Sequence, residues 1–466
     1  MSVKRAVELL FLIGLFFFPF NEYEGIPFLG EFTSEVAVLF FIPAFLLILM
    51  YSLETKKIYF PYKNKLYFIV ILFLVWCVVS ILLNFHNIST YYFKQTSGIN
   101  RFIRQFIALL LSSVVFFQVY WFVLKDKTIL EILLLIRKVF FCSFIVVSIY
   151  GFLEIITVYF GVSLLTPVLE SLSYLPFIEV RQHVGGRISS VSYEPPFLAI
   201  YLITIAGWMF SYIITSKSIK KYIPSIVVLL LTFFSGSRTA LIVVTIQFLI
   251  FIYYLYYFYG YKKIVIYSLK YSLLLILTIG LFTGVKFYEA IEEKVESLDF
   301  IGNLKNNPSN KSRLGIQYAS LVVFTKNPIS GVGFGQQGFE SREEYPTWAI
   351  KNNYEFEVFY KNKKEKSFPP GYNVYTRILA ELGLIGLLIF FYLQYSMLKQ
   401  ALKLTRYKKK EVRLLGVILF ITLIGLFVNW MQIDSFRIYG VWLSLAILII
   451  ISTTKDEQNN YINTSL

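Results

Sequence analysis

The chain contains a series of nearly uninterrupted apolar runs of about 20 residues, such as 66–84 and 103–124. An α-helix rises about 1.5 Å per residue, so each run is long enough to cross roughly 30 Å of hydrocarbon. The apolar fraction is 57% and the charged fraction only 15%, which excludes a soluble enzyme and a disordered chain. The runs also lack the period-two alternation of an outer-membrane barrel. We therefore predict an all-α polytopic membrane protein.

The pattern predicts about 12 transmembrane helices. Their approximate positions are 7–20, 34–52, 66–84, 103–124, 138–160, 195–214, 222–236, 239–259, 263–283, 374–396, 412–430 and 437–454. The predicted organisation is a bundle of nine spans over 1–283, a large extracytoplasmic loop over 284–373, three more spans over 374–454 and a cytoplasmic tail over 455–466. Within the large loop, 285–300 and 311–326 have helical spacing of apolar residues, which predicts a helical loop.

The distribution of basic residues predicts that both termini are cytoplasmic. Lys and Arg accumulate on the cytoplasmic side of a membrane protein. The connection 399–413 carries seven of them, whereas the predicted outer connection 21–33 carries none. The formal net charge of +16 is then explained by attraction to anionic membrane lipid, and nucleic acid is not expected as a partner. The two cysteines, Cys77 and Cys142, lie inside apolar runs and indicate neither a disulfide framework nor a metal site.

Arginine has a different distribution from lysine. Nine of the 13 Arg fall on the predicted outer side, several of them where the chain meets the membrane. Arg is favoured where phosphate or carboxylate is bound through two parallel hydrogen bonds. We therefore expect an anionic substrate at the outer leaflet. The alternative is that these side chains anchor lipid headgroups or pair internally with Glu194 and Glu381.

Four segments have the character of functional sites. They are RISSVSYEPP at 187–196, SGSRTA at 235–240, the stretch from Arg313 to Gly335 that ends in NPISGVGFG, and GYNVYTRILAELGLIG at 371–386. Together, in this order and at these places in the topology, they resemble the bacterial O-antigen polymerase and O-antigen ligase superfamily. The resemblance covers roughly 185–395.

The resemblance implies a glycosyltransferase of the bacterial inner membrane that acts at its outer face without a metal or other cofactor. Its donor would be an oligosaccharide carried on undecaprenyl pyrophosphate, and its product O-antigen, capsule or another surface polysaccharide. Ligases of this superfamily tend to carry a histidine immediately before the Asn of the fourth segment, where this chain has Tyr372. This difference favours a polymerase of lipid-linked repeat units. A protein that regulates chain length is a further expected partner.

The chemistry of such a transfer assigns a role to each candidate residue. Negative charge develops on the leaving diphosphate, and fixed cations stabilise it in the transition state. The predicted catalytic residues are the arginines Arg187, Arg238 and Arg313, with Glu194 as the base; the alternative for Glu194 is a salt bridge to Arg187. The predicted substrate-binding residues are Arg181, Tyr372, Asn373 and Arg377, with Tyr372 orienting the acceptor.

Two other functions remain open at this point. One is an O-antigen ligase, which transfers finished polymer to a lipid A core on the same fold. The other is a polysaccharide flippase or exporter, which performs no chemistry. A transporter often has two similar halves, and this sequence shows no evident internal repeat, so we prefer the enzyme.

Overall fold

The computed structural model describes residues 2–23, 25, 31–180, 186–263, 265–266, 270 and 307–453. In chain order the elements are α1 (Val3–Phe16), α2 (Val38–Thr55), α3 (Lys65–Leu83), α4 (Phe85–Thr90), β1 (Tyr92–Phe93), β2 (Thr96–Ser97), α5 (Gly98–Leu124), α6 (Ile129–Tyr159), α7 (Thr166–Ser171), α8 (Pro195–Thr215), α9 (Ile223–Phe234), α10 (Arg238–Phe258), α11 (Pro308–Lys326), α12 (Gln337–Ser341), α13 (Thr347–Ile350), α14 (Val374–Leu404), α15 (Lys410–Asn429) and α16 (Tyr439–Thr453). The strands β1 and β2 form one short antiparallel hairpin. The prediction of an all-α polytopic membrane protein is confirmed.

Eight helices in these ranges are long and apolar enough to cross a membrane. They are α2, α3, α5, α6, α8, α10, α14 and α15. Three other predicted spans are shorter helices, since α1 has 14 residues, α9 has 12 and α16 has 15. A helix of 12 residues covers only about 18 Å. The predicted span 263–283 lies mostly outside the described residues, as does the predicted helix 285–300.

The bundle is centred on α8, α15 and α16, in which most side chains are buried. Gln247 of α10 shows how polar groups are accommodated there, because its Nε2 donates to the carbonyl oxygens of Ile203 and Ile421 at 3.0 and 3.1 Å. A backbone or side-chain amide in this environment requires such a partner. The contact ties α10 to both α8 and α15.

The helix α14 is broken about one third of the way along, at Gly383. This residue has φ +65° and ψ −165°, a conformation that side-chain-bearing residues rarely adopt. A Cβ there would lie 2.2 Å from the carbonyl oxygen of Ile329. The segment 328–333 fills the break, since Val332 N–H donates to Ala380 O and Leu384 N–H donates to Pro328 O, at 2.9 and 2.8 Å. The NPISGVGFG and ELGLIG sequences therefore form a single unit.

The described part of the large loop packs against the start of α14. The predicted helix 311–326 is confirmed as α11, which begins slightly earlier at Pro308. The loop has a small apolar core of its own, formed by Ile316, Ala319, Tyr345, Ala349, Phe356 and Tyr360. This core fixes α11 beside the first residues of α14, where three of the predicted site residues lie.

Candidate active site

The SGSRTA turn brings Arg187 next to Arg238. Gly236 has φ +65°, and a Cβ at this position would lie 2.7 Å from Arg187 Cγ. Arg187 Nε donates to the carbonyl oxygen of Ser235 at 3.2 Å. Ser237 then caps α10, because its hydroxyl accepts from Ala240 N–H at 3.3 Å. The glycine is required so that the Arg187 side chain can cross the turn, and Arg238 is the first residue of the helix that follows.

Arg238, at the start of α10, and Arg313, on α11, lie beside this turn. Arg238 Nη2 donates to Oδ1 of Asn310 at 3.2 Å, and Asn310 lies in the first turn of α11. Arg313 is one turn further along α11, and its Nη1 donates to Oε1 of Gln432 at 3.2 Å. Each of these hydrogen bonds ends on a neutral oxygen. Three guanidinium groups from separate stretches of chain therefore converge at one place.

The charges of this cluster act on one another. Burial lowers the pKa of Arg187, the guanidinium of Arg313 lowers it further and Arg238 adds to the effect, whereas the carboxylate of Glu194 opposes it. Arg313 also acts electrostatically on Arg238. An arginine remains protonated under all these influences. The arrangement is a concentration of positive charge that an anion would stabilise.

Glu194 lies at the start of α8, with its backbone carbonyl accepting from the N–H groups of Phe197 and Leu198. The residue is exposed, and its carboxylate is within electrostatic range of Arg187. The preceding residues are held firmly, because Ser190 N–H donates to Glu154 Oε2 at 2.6 Å and Tyr193 N–H donates to Asn21 Oδ1 at 2.7 Å. Glu194 is therefore an accessible carboxylate on a fixed backbone beside the arginine cluster.

Tyr372 and Asn373 lie where the chain enters α14. The Cζ of Arg313 is 5.3 Å from the centre of the Tyr372 ring, within cation–π range. The Tyr372 hydroxyl is 2.6 Å from that of Tyr360, and burial raises the pKa of Tyr372. Asn373 caps the helix, since its Oδ1 accepts from Tyr375 N–H at 2.9 Å and from Thr376 N–H at 3.3 Å. Tyr372 thus belongs to the arginine cluster, and Asn373 fixes the helix beside it.

Arg377 lies in a separate, buried network. Its Nε donates to both carboxylate oxygens of Glu381 at 3.1 and 3.2 Å, and its Nη2 donates to Oε1 of Gln105 at 2.8 Å. The Arg377 side chain is only 4% exposed. The sequence analysis gave internal pairing with Glu381 as an alternative, and the structure contains this pairing for Arg377. Its role as a substrate-binding residue remains a prediction.

Asp434 connects this network to the segment 371–373 that precedes α14. Its Oδ2 accepts from Gly371 N–H at 2.6 Å and lies 4.0 Å from Nη1 of Arg377. The sequence marks Asp434 only as a charge within an apolar region, and nothing in the sequence pairs it with Gly371. Asn310 and Gln432, which bind the arginines, also have no signal in the sequence. Arg181 lies outside the described residues.

Groups of His, Cys, Asp and Glu that could bind a metal ion are absent from the described ranges. The polar groups at the cluster are guanidinium, amide, hydroxyl and carboxylate. This donor set suits recognition of a phosphate by charge-assisted hydrogen bonds, with one exposed carboxylate able to accept a proton.

Comparison with known proteins finds a similarity to one family. Residues 199–391 match the model of a protein family described as O-antigen ligase. This range contains Arg238, Arg313, Tyr372 and Arg377, whereas Arg187 and Glu194 precede it. No curated protein matched the chain. Residues 199–391 are therefore similar to this family, and the match supports the O-antigen ligase and polymerase superfamily.

Proposed function

We propose that this protein is a glycosyltransferase that polymerises oligosaccharide repeat units linked to undecaprenyl pyrophosphate, at the outer face of the bacterial inner membrane. The observation that supports it most directly is the convergence of Arg187, Arg238 and Arg313. The family match supports an O-antigen-type membrane function, and a ligase is compatible with the same match.

In the proposed reaction an acceptor sugar hydroxyl attacks the anomeric carbon of the donor. A new bond forms between the hydroxyl oxygen and that carbon, the bond from the carbon to the phosphate oxygen breaks, and the bonding electrons leave with the diphosphate. Glu194 takes the hydroxyl proton. The arginines bind the diphosphate more strongly as its charge grows, which lowers the barrier.

The size of this effect is set by the number of charge-assisted hydrogen bonds. Each contributes roughly 1.5–3 kcal/mol, and 1.36 kcal/mol corresponds to a factor of ten in rate. Two well-placed arginines would therefore supply a factor of order 10² to 10⁴. Arg313 is held by Gln432 and by the ring of Tyr372. Tyr372 also borders the proposed position of the acceptor.

The products that accumulate in a deletion strain test the assignment. Loss of a polymerase leaves single repeat units on the carrier or on the core lipid. Loss of a ligase leaves long polymer that is not attached to its acceptor, and loss of a flippase leaves repeat units on the inner side of the membrane. Single repeat units restored to a full ladder by the wild-type chain support the proposal, and either of the other two patterns refutes it.

A further inference from the structure

The first turn of α11 contains a buried amide donor beside the arginine cluster. Asn310 is 5% exposed, and its Nδ2 has no hydrogen-bond partner within the described part of the chain. Oδ1 of the same amide accepts from Nη2 of Arg238 at 3.2 Å. Nearly all buried polar groups in proteins are hydrogen-bonded, and each exception requires an explanation. An acceptor atom on a ligand of the arginine cluster would supply the missing partner.

The orientation of this amide is fixed by Arg238. A guanidinium group only donates hydrogen bonds, so it requires the oxygen of the amide and not its nitrogen. Exchange of the two Asn310 atoms would bring two donors together and break the hydrogen bond to Arg238. Nδ2 is therefore the atom that is left for another acceptor.

The backbone that carries Asn310 is held on two sides. Oδ1 of Asn307 caps α11 by accepting from Asn310 N–H at 3.2 Å. Nδ2 of Asn353 donates to Pro308 O at 3.2 Å and to Ser312 Oγ at 2.9 Å. A donor that is already fixed in position loses little conformational entropy when it binds a ligand. The loop thus holds the Asn310 amide ready for an acceptor.

Arg313 has a second buried donor on the same face of α11. It lies three residues after Asn310, about one helical turn, and its Nε is buried without a hydrogen-bond partner among the described residues. Its Nη1 is already used, because it donates to Gln432. The positive end of the helix dipole, at the start of α11, also favours an anion. Two buried donors beside this charge suit a ligand that has only acceptor oxygens.

We propose that Asn310 is a substrate-binding residue, with Nδ2 donating to an oxygen of the diphosphate beside Nε of Arg313. This inference rests on the proposed function, because it takes the diphosphate of the lipid carrier as the ligand. A diphosphate that joins a lipid to a sugar has several acceptor oxygens and, when ionised, no donor. It therefore matches the donors that Asn310 and Arg313 provide.

Binding of inorganic pyrophosphate to the purified full-length protein tests the contact, with isothermal titration calorimetry as the measurement. The variants are Asn310→Ala, Arg238→Ala and the double variant N310A/R238A. The double variant is needed because Asn310→Ala also removes the hydrogen-bond acceptor of Arg238. Asn307→Ser is the matched control, since it removes an amide from the same end of α11 while serine still caps the helix.

A hydrogen bond to a charged group corresponds to a factor of roughly ten to a hundred in affinity. We expect Asn310→Ala to weaken pyrophosphate binding by about tenfold or more, and by a similar factor when Arg238 is already alanine. Asn307→Ser should leave the affinity nearly unchanged.

Two results would overturn the contact. One is unchanged binding by Asn310→Ala, and the other is a loss that disappears in the Arg238→Ala background, which would show that Asn310 only positions Arg238. In both cases the proposed function stands if Arg313→Ala still weakens binding. Equal binding by wild type and Arg313→Ala would instead count against the diphosphate site itself, and so against the proposed function.

Discussion

The guanidinium of Arg313 lies over the ring of Tyr372, 5.3 Å from its centre, and this contact joins helix α11 to the start of α14. Tyr372 has φ +55°, in the left-handed region that few residues other than glycine and asparagine occupy. Such a conformation costs of order 1–3 kcal/mol and concentrates at functional sites. The strain and the contact together indicate that Tyr372 holds Arg313 in position.

Substitution of Tyr372 separates the contribution of its ring from that of its hydroxyl. Tyr372→Phe keeps the ring beneath Arg313 and loses one hydrogen bond to Tyr360, worth about 1 kcal/mol of folding stability. Tyr372→Leu loses the ring as well. Because burial raises the pKa of Tyr372, the hydroxyl is neutral at physiological pH and does not serve as the base.

We therefore expect Tyr372→Phe to make most of the normal amount of polymer and Tyr372→Leu to make less than a tenth of it. The polysaccharide ladder in a complemented deletion strain measures the amount. Equal losses in both variants would mean that the hydroxyl itself contacts the acceptor.

Removing any of the three converging arginines should strongly reduce product formation. For Arg187→Ala, Arg238→Ala and Arg313→Ala we expect losses of roughly tenfold to a hundredfold, since each removes charge-assisted hydrogen bonds worth about 1.5–3 kcal/mol. Arg104→Ala is the matched control, because Arg104 is an exposed arginine on α5. The measurement is the initial rate of polymer formation from lipid-linked repeat units, at equal protein levels in the membrane. Normal rates in all three variants would exclude the proposed diphosphate site.

The role of Glu194 can be separated from that of the arginines. Glu194→Gln keeps the size of the side chain but cannot accept a proton, so we expect a large fall in kcat with little change in KM. Glu170→Gln changes another exposed carboxylate, on α7, and should have no effect. If Glu194→Gln makes full-length polymer at the normal rate and Arg238→Ala does not, Glu194 is not the base. The proposed anion site would still stand.

The sequence predicts the parts of this site that depend on local rules. The apolar runs predict the spans, and the four segments named from the sequence contain Arg187, Arg238, Arg313 and Tyr372. The residues that complete the site depend on tertiary packing. Gln432 and Asp434 contact Arg313 and Gly371 from the connection between α15 and α16, more than 60 positions from either partner. Sequence spacing does not indicate such contacts.

The break in α14 illustrates the same limit. Gly383 suggests a weak point in a helix, but only the structure shows that 328–333 fills the gap through hydrogen bonds with 380–384. The sequence likewise predicts that several arginines bind an anion, but it does not show which of them lie together. Arg377 is also an arginine and lies five residues after Tyr372, yet its side chain pairs with Glu381, one turn further along α14.

The Arg377 and Glu381 pair should be a major determinant of stability. Arg377→Ala leaves the 3% exposed carboxylate of Glu381 without its cation, and breaking a buried pair in this way costs about 3–5 kcal/mol. The double variant R377M/E381M removes both charges and should recover most of the loss. Thermal unfolding of the purified proteins in detergent compares the stability of wild type, Arg377→Ala and R377M/E381M. A stable double variant that makes no polymer would instead support substrate binding by Arg377.

Protonation of Glu35 should make stability depend on pH. Glu35 precedes α2, is 6% exposed and lies 3.5 Å from Nη1 of Arg437. Burial raises the pKa of Glu35 to about 7, and Arg437 only partly opposes this. A carboxyl group with a raised pKa in the folded state stabilises the protein when protonated. Its contribution is complete below pH 4.5 and is lost as pH rises toward 7.

The variant Glu35→Gln remains neutral and avoids this loss. The stability of wild type relative to Glu35→Gln should therefore fall between pH 4.5 and 7 and remain constant above, by up to about 3 kcal/mol at 1.36 kcal/mol per pKa unit. The neighbouring Glu31 has a lowered pKa, because the cations of Arg437 and Arg377 outweigh its burial. The titration of Glu31 therefore changes the stability only below pH 4.5, and it does so equally in wild type and Glu35→Gln. Thermal unfolding from pH 4 to 9 measures the difference, and parallel curves for the two proteins would show that Glu35 does not titrate in this range.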